Sequence, residues 1–324
     1  MEGYWTLKTR RAVVLAADIL RNERTEGIPN IFLNMGTAII MALLKAPQEV
    51  VTASILQGVL SNITDKVKFK NLQNQIMAEF GSDVLMHMLI QPQPYYPMFW
   101  EDENFRIFPE LEGYSIERIF KAVVMGAVAH GDQRRKEKNI PFFCHPLNTA
   151  ILLALLRASE DQIIAAILHD TLEDTSLTAE EIGKAFGSDV LRIVLAGTET
   201  DKSQSWEERK QQTIQRLHEA DLDVKVDICA DKLDNLQSIY DVLLVEGCNN
   251  PVAIKNAQVW LNFVRGYEFQ KWYYQSVVHA LFDGIEKIAK PPNIFGTLMR
   301  LAENVFGERI IDDEAIRAKV PSRH

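Results

Sequence analysis

Two adjacent residues with metal-binding side chains, His169 and Asp170, lie in an otherwise apolar stretch of the chain. Burying a carboxylate in such a stretch costs free energy unless the carboxylate is paired or binds a metal. Glu173 and Asp174 follow one helical turn later, so the four side chains form two i,i+4 pairs on one face of a predicted helix. Three crowded carboxylates repel one another, and this pattern indicates a cation site.

Two further residues of the same chemical types lie at a distance along the sequence. His145 stands 24 residues before His169, and Asp231 stands about 60 residues after it, in the apolar stretch DICADKLDNL. Imidazole and carboxylate ligands suit Mn²⁺, Fe²⁺ or Zn²⁺, which act as Lewis acids and water activators on phosphate esters. A single His-Asp dipeptide is weak evidence, but four candidate ligands in separate blocks indicate hydrolytic metal chemistry.

The charge balance restricts the substrates that such a site can take. A net charge of −9 and a pI near 5.4 argue against nucleic-acid binding, which needs many Lys and Arg side chains along one face. A small phosphorylated substrate needs only a local basic cluster, and QRRKEK at 133–138 supplies one. The alternative interpretation of this cluster is a solvated charged loop.

The sequence predicts a cytoplasmic protein with no membrane partner. The N-terminal segment MEGYWTLKTRR has no apolar core of a signal peptide, and no uninterrupted apolar run is long enough to cross a bilayer. Three cysteines at irregular spacing form no CxxC pair, which indicates reduced thiols.

The elements that carry these residues belong to an internal repeat. Residues 28–62 align with residues 140–174 without a gap at a constant offset of 112, and 13 of the 35 positions are identical. The similarity resumes at FGSDVL, which occurs at 80–85 and at 186–191. Both copies have apolar residues at helical spacing, so the sequence predicts an all-α fold that is duplicated in tandem.

Helix-boundary signals agree with this prediction. Thr178 with Glu181 and Ser205 with Glu208 form potential capping boxes, and Gly187 lies where a short helix should end. The stretch VKVDICADKLDNLQSIYDVLL predicts one longer helix, with an apolar face that runs from Val224 to Ile239.

The first copy has lost every residue that could do chemistry. At the offset of 112, the five metal- and water-handling positions become Leu33, Gln57, Gly58, Ser61 and Asn62. The predicted segments are a degenerate helical domain at 1–90, a connection rich in Pro and aromatic residues at 91–114, a catalytic domain at 115–290 and a helical tail at 291–324. The degenerate copy is expected to pack on the active copy or to regulate it.

Three blocks carry a resemblance to a known family. The stretch from Ala122 to Leu156, the block AAILHDTLEDT and the block ICADKLDNL resemble the HD hydrolase domain of Rel/SpoT-type guanosine tetraphosphate pyrophosphohydrolases and their small single-domain relatives. The resemblance covers residues 120–245 and implies the helical HD-domain fold. The implied reaction is hydrolysis of a 3′-pyrophosphate on a small nucleotide.

The resemblance also implies a role for each site residue. One divalent ion, usually Mn²⁺ in this family, is held by His145, His169, Asp170 and Asp231. Water is oriented or deprotonated by Glu173 and Asp174. The pyrophosphate is met by Arg135 and Lys136, and the nucleotide by Asn235 and Ser238.

Two alternatives remain open at this point. The segment TETDKSQSWEERK at 198–210 replaces the family's more usual threonine-lysine pair, so the substrate could be another nucleotide phosphate. A sensor that binds a nucleotide without cleaving it is the alternative from another class, and the Glu173–Asp174 pair argues against it. His130 is predicted to be a buried core residue, hydrogen-bonded to a neighbouring helix, rather than a ligand.

Overall fold

A computed structural model describes residues 2–25, 27–61, 63–90, 109–135, 140–199, 201–284 and 292–318. The described chain is mostly helical, as the sequence predicts. Its contacts divide it into two compact units, Met1–Leu191 and Arg192–His324. The four segments predicted from the sequence were delimited by sequence similarity, whereas these units are delimited by contacts, so the segments stay a prediction. None of the described helices combines the length and the hydropathy that crossing a bilayer requires.

The first unit contains ten complete helices and a small hairpin among its described residues. The strands β1 (Arg24–Thr25) and β2 (Ile28–Pro29) pair antiparallel, and a short 3-10 helix lies at Pro109–Leu111. The helices are α1 (Glu2–Ile19), α2 (Asn30–Leu43), α3 (Gln48–Ile55), α4 (Lys66–Phe80), α5 (Ser82–Ile90), α6 (Ile116–His130), α7 (Cys144–Leu155), α8 (Glu160–Leu168), α9 (Thr171–Asp174) and α10 (Ala179–Phe186). Most of the predicted connection, 91–108, lies outside the described residues.

Local sequence signals set the ends of several of these helices. Thr178 and Glu181 form the predicted capping box at the start of α10, in which each side chain bonds the backbone of the other residue. Helix α10 ends at Gly187, whose φ of 97° is a conformation that glycine adopts without steric cost. Both boundary predictions are confirmed.

Corresponding helices of the two sequence repeats pack against each other. Helix α2 lies along α7, and the Phe32 ring meets the Phe143 ring edge-on at a centroid distance of 5.1 Å. Gly36 allows α2 to approach the Phe120 ring of α6 closely, because a Cβ added at Gly36 would lie 2.9 Å from that ring. The first copy therefore forms part of the core that surrounds α7.

Backbone geometry also recurs at the offset of 112. Lys45 and Arg157, which are equivalent in the alignment, are the non-glycine residues with positive φ in the described chain, at 56° and 60°. Each follows the first of the two matched helices in its copy. The same local turn is thus made twice with the same unusual conformation.

The second unit consists mainly of two long packed helices and an aromatic core. Helix α11 (Ser188–Gly197) contains the boundary between the units. It is followed by α12 (Trp206–Glu219), α13 (Leu222–Val245), α14 (Pro251–Lys255), α15 (Tyr267–Phe282), α16 (Asn293–Phe306) and α17 (Glu314–Ala318). Ser205 and Glu208 form the predicted capping box of α12. Helix α13 packs along α16, and the apolar face predicted for it is buried.

Candidate metal centre

His145 lies in the first turn of α7 and is almost completely buried, with 4% of its surface exposed. Its backbone N–H donates to the carbonyl oxygen of Phe142 over 3.0 Å, and its own carbonyl oxygen accepts from the Thr149 hydroxyl over 3.2 Å. These bonds fix the backbone that carries the imidazole. The His145 ring meets the His169 ring edge-on, with centroids 5.1 Å apart.

His169 directly follows the last residue of α8, and one hydrogen bond indicates which of its ring nitrogens carries a hydrogen. Its Nδ1 lies 2.7 Å from the carbonyl oxygen of Ala166, which can only accept, so Nδ1 carries the hydrogen. In the neutral form of this ring, Nε2 is the lone-pair donor. A backbone carbonyl on the remote nitrogen is a common way to orient a metal-binding histidine.

Asp170 brings a carboxylate to both histidines. Its Oδ2 lies 3.1 Å from His169 Nε2 and 3.8 Å from His145 Nε2, and ring nitrogens of the two histidines lie within 4.8 Å of each other. Imidazole nitrogens and a carboxylate oxygen that converge so closely favour a cation between them. The donor set fits Mn²⁺, Fe²⁺ or Zn²⁺.

The prediction of one continuous helix through these residues is wrong. Helix α8 ends at Leu168, and the single turn α9 begins at Thr171, so His169 and Asp170 lie at a helix junction. The Thr171 hydroxyl donates to the carbonyl oxygen of Leu168 over 2.6 Å, in place of a helical bond. Such side-chain bonds compete with the helix, and apolar periodicity cannot reveal them.

Glu173 and Asp174 lie in α9 beside this junction, where both backbone N–H groups donate to the Asp170 carbonyl oxygen over 3.2 and 3.0 Å. Glu173 is half-buried, and Asp174 is exposed. The turn thus holds two carboxylates next to Asp170, at different depths.

The basic segment lies between α6 and α7. Arg134 forms an isolated antiparallel bridge with Pro141, and the Arg135 N–H donates to the carbonyl oxygen of Ile140 over 3.0 Å. Phe142, which follows this bridge, accepts a hydrogen bond from the His145 N–H at the start of α7. Lys136 lies outside the described residues, so its predicted role is not tested.

The remaining predicted residues lie on α13 in the second unit. Asp231 Oδ1 accepts from Asn235 Nδ2 over 2.6 Å, and Asp231 Oδ2 lies 2.7 Å from Lys232 Nζ. Burial lowers the pKa of Lys232, but Asp231 together with the Tyr273 and Tyr274 side chains outweighs burial and raises that pKa well above its ordinary value. Ser238 is buried, with 6% of its surface exposed. Asn235 therefore contacts a predicted ligand directly, a contact that the sequence did not indicate.

His130 is buried at the end of α6, as predicted, with 2% of its surface exposed. Its partner is not a neighbouring helix but Gln133, whose Oε1 lies 2.9 Å from His130 Nδ1. Burial lowers the pKa of His130, so the ring is neutral near pH 7.

The fold and the geometry define a helical protein with a histidine- and aspartate-lined candidate metal site, and comparison with known proteins agrees. A family model for the HD domain matches residues 122–264. Guanosine-3′,5′-bis(diphosphate) 3′-pyrophosphohydrolase of Aquifex aeolicus is 36% identical over 126 residues, which are 38% of this chain and 18% of that protein. The MESH1 guanosine-3′,5′-bis(diphosphate) 3′-pyrophosphohydrolase of Drosophila melanogaster is 33% identical over 129 residues, which are 39% of this chain and 72% of that protein.

A solved structure from Listeria monocytogenes EGD-e is 39% identical, covers 50% of this chain and 98% of its own, and superposes with a TM-score of 0.44. The match to the Drosophila protein spans more than two thirds of that protein, so this chain belongs to the HD-domain family of guanosine-3′,5′-bis(diphosphate) 3′-pyrophosphohydrolases. The chain spans only about a fifth of the longer Aquifex relative.

Proposed function

We propose that the protein is a metal-dependent phosphohydrolase that removes the 3′-pyrophosphate of guanosine tetraphosphate or pentaphosphate. The observation that carries this proposal is the convergence of His145, His169 and Asp170. Asp170 Oδ2 lies 3.1 Å from Nε2 of His169 and 3.8 Å from Nε2 of His145. Relatives that carry this activity in their names match 38% and 39% of the chain. The HD-domain family model matches residues 122–264. The match covers the active copy of the repeat, 140–174.

One divalent ion, with Mn²⁺ as the first choice, is held by these three residues together with Asp231. Two arguments support Asp231: the resemblance of its sequence block, and the hydrogen bond from Asn235 that orients its carboxylate. When bound, such an ion lowers the pKa of a coordinated water and stabilises negative charge on the phosphoryl oxygens.

The protein's own side chains supply the remaining chemistry. Glu173 and Asp174 accept a proton from the attacking water or orient it, because they are the carboxylates next to the ligand cluster. Arg135 and Lys136 bind the pyrophosphate by charge, and Arg135 suits a planar phosphate contact. Asn235 and Ser238, which lie one and two turns after Asp231 on α13, are proposed to contact the nucleotide.

A second candidate substrate, another nucleotide phosphate, is motivated by residues 198–210, which replace the threonine-lysine pair more usual in the family. Glu199 pairs with Arg209 Nη1 and with Lys210 Nζ, both over 2.6 Å. Burial raises the pKa of Glu199, but Lys210 and Arg209 together lower it by more. The net pKa is below its ordinary value, so this carboxylate stays ionised. The segment therefore offers less free positive charge to a phosphate than its composition suggests.

The first copy is proposed to be a duplicated, degenerate HD domain with a structural role. Arg157, in the active copy, donates from Nη1 to the Leu43 carbonyl oxygen at the end of α2 and from Nη2 to the Glu110 carbonyl oxygen over 2.6 Å. The packing of α2 on α7 supports the same role. A cytoplasmic location and a small-molecule partner are part of this proposal.

The test is release of pyrophosphate from guanosine tetraphosphate by the purified chain with Mn²⁺, beside a panel of other nucleotides. We expect turnover that is lost in Asp170→Ala, because a ligand is removed, and in Glu173→Gln, which keeps the side-chain shape but cannot accept a proton. Glu173→Gln should still bind the nucleotide. Turnover of another nucleotide alone would replace the proposed substrate, and nucleotide binding without turnover of any nucleotide would favour a sensor.

A further inference from the structure

Gln133 uses every one of its polar groups to connect three parts of the first unit. Its backbone N–H donates to the His130 carbonyl oxygen over 3.1 Å, and its carbonyl oxygen accepts from the Phe142 N–H over 2.8 Å. Its side-chain Nε2 donates to the Asp174 carbonyl oxygen over 2.7 Å, and its Oε1 lies 2.9 Å from His130 Nδ1. One residue thus joins the end of α6, the bridge that carries Arg135, and the turn α9.

The orientation of the Gln133 amide follows from its partners. The carbonyl oxygen of Asp174 can only accept, so the atom that faces it is Nε2, and Oε1 must face His130. His130 therefore donates from Nδ1. Its ring is held between Phe142 and Phe143, with centroid distances of 5.2 and 5.4 Å. Because the imidazole is fixed by this packing, the amide that it orients is fixed as well.

The turn that receives this bond depends on contacts outside itself. Helix α9 has only four residues, and an isolated turn of this length has no stability of its own. Its last carbonyl groups lack helical partners, and the bond from Gln133 satisfies the one on Asp174. Gln133 therefore acts as a C-terminal cap that comes from 41 residues away.

We propose that Gln133 is a positioning residue, which holds the Glu173–Asp174 turn at a fixed place relative to Arg135 and to the start of α7. This inference rests on the proposed function, in which the turn handles water and Arg135 binds pyrophosphate. Loss of the cap leaves the metal ligands and Arg135 in place but lets the water-handling carboxylates move. The effect belongs in the chemical step rather than in substrate binding.

The test compares three variants of the full chain. Gln133→Glu keeps an acceptor for His130 but removes the donor to Asp174, and Gln133→Met removes both polar ends without adding a charge. Asp132→Asn is the matched control. Asp132 is adjacent to Gln133 in sequence, and its exposed side chain forms an ion pair with Arg24, which contributes little to stability at the surface. We expect kcat to fall about 10- to 100-fold in both Gln133 variants, with KM and Mn²⁺ affinity within about threefold of the wild-type values. Asp132→Asn should match the wild type.

A second readout does not depend on activity. Hydrogen exchange of the Thr175 amide, which donates to Thr171 over 3.1 Å, should be about five- to tenfold faster in Gln133→Met, or roughly 1 kcal/mol. A rise in KM alone, or unchanged kcat and exchange, would overturn the positioning role. If the wild-type chain hydrolyses no nucleotide, the proposed function fails, and the exchange measurement still decides whether Gln133 holds the turn.

Discussion

Arg157 and Lys45 make a matched pair for testing whether the two repeats are fastened to each other. Both residues have a left-handed backbone, with φ of 60° and 56°. Replacing either by glycine relieves a steric cost of roughly 1–2 kcal/mol, of which about 0.5–1 kcal/mol is offset by the entropy of glycine in the unfolded chain. Lys45 is exposed, so Lys45→Gly should stabilise the fold by about 0.5–1 kcal/mol.

Arg157→Gly gains the same relief but loses the contacts of the guanidinium. The lost contacts are the bonds to the Leu43 and Glu110 carbonyl oxygens and the stacking over the Tyr114 ring, 5.1 Å from its centroid. Two hydrogen bonds from a charged, half-buried group contribute about 3 kcal/mol, and the ring contact adds roughly 0.5 kcal/mol. Freeing the arginine side chain returns up to about 2 kcal/mol of that sum. Arg157→Gly should therefore be about 1–2 kcal/mol less stable than Lys45→Gly.

The assay is urea unfolding of the wild type and both variants, with stability taken from the midpoint and the slope. The predicted result is a midpoint that rises for Lys45→Gly and stays level or falls for Arg157→Gly. Equal midpoints in the two glycine variants would refute the reasoning, because the contacts of Arg157 would then contribute nothing beyond the backbone term. The proposal that the contacts of Arg157 stabilise the packing of the two repeats would then fail as well.

The other predictions concern the metal and the first copy. Removing divalent ions with a chelator should lower the melting temperature of the wild type but leave that of Asp170→Asn unchanged, which calorimetry checks. A chain of residues 100–324 should be insoluble or poorly folded in sedimentation and circular dichroism, since the face of α7 that packs on α2 would be exposed. If that chain were soluble, monomeric and fully active, the structural role would be ruled out.

The sequence predicts those features of the fold that local chemistry decides. The capping boxes at Thr178 and Ser205 and the helix end at Gly187 lie where the side chains require them. The chemical types of His145, His169 and Asp170 were sufficient to predict the cluster, because few other arrangements make buried charges tolerable.

Features that depend on distant contacts could not be predicted in this way. The break between α8 and α9 falls within a stretch of helical spacing, and a threonine hydroxyl bonds back to the Leu168 carbonyl oxygen there. The bond of Gln133 to Asp174 joins residues that are far apart in sequence, and a glutamine in a basic segment gives no local sign of it. Periodicity describes the face of a helix but not the bond that ends it.

The two sequence repeats differ in backbone conformation at equivalent positions. At the position equivalent to Asp170, the first copy has Gly58 with φ of 76°, whereas Asp170 has φ of −90°. Asn34 donates from Nδ2 to the carbonyl oxygens of Ile55 and Gln57 over 3.1 and 2.8 Å, and so satisfies the end of α3 by a bond that the equivalent Pro146 cannot make. The first copy therefore differs from the second in its backbone as well as in its side chains. Because Gly58 has a backbone conformation that Asp170 does not have, we expect that restoring histidine and aspartate in the first repeat would not recreate the geometry found around Asp170.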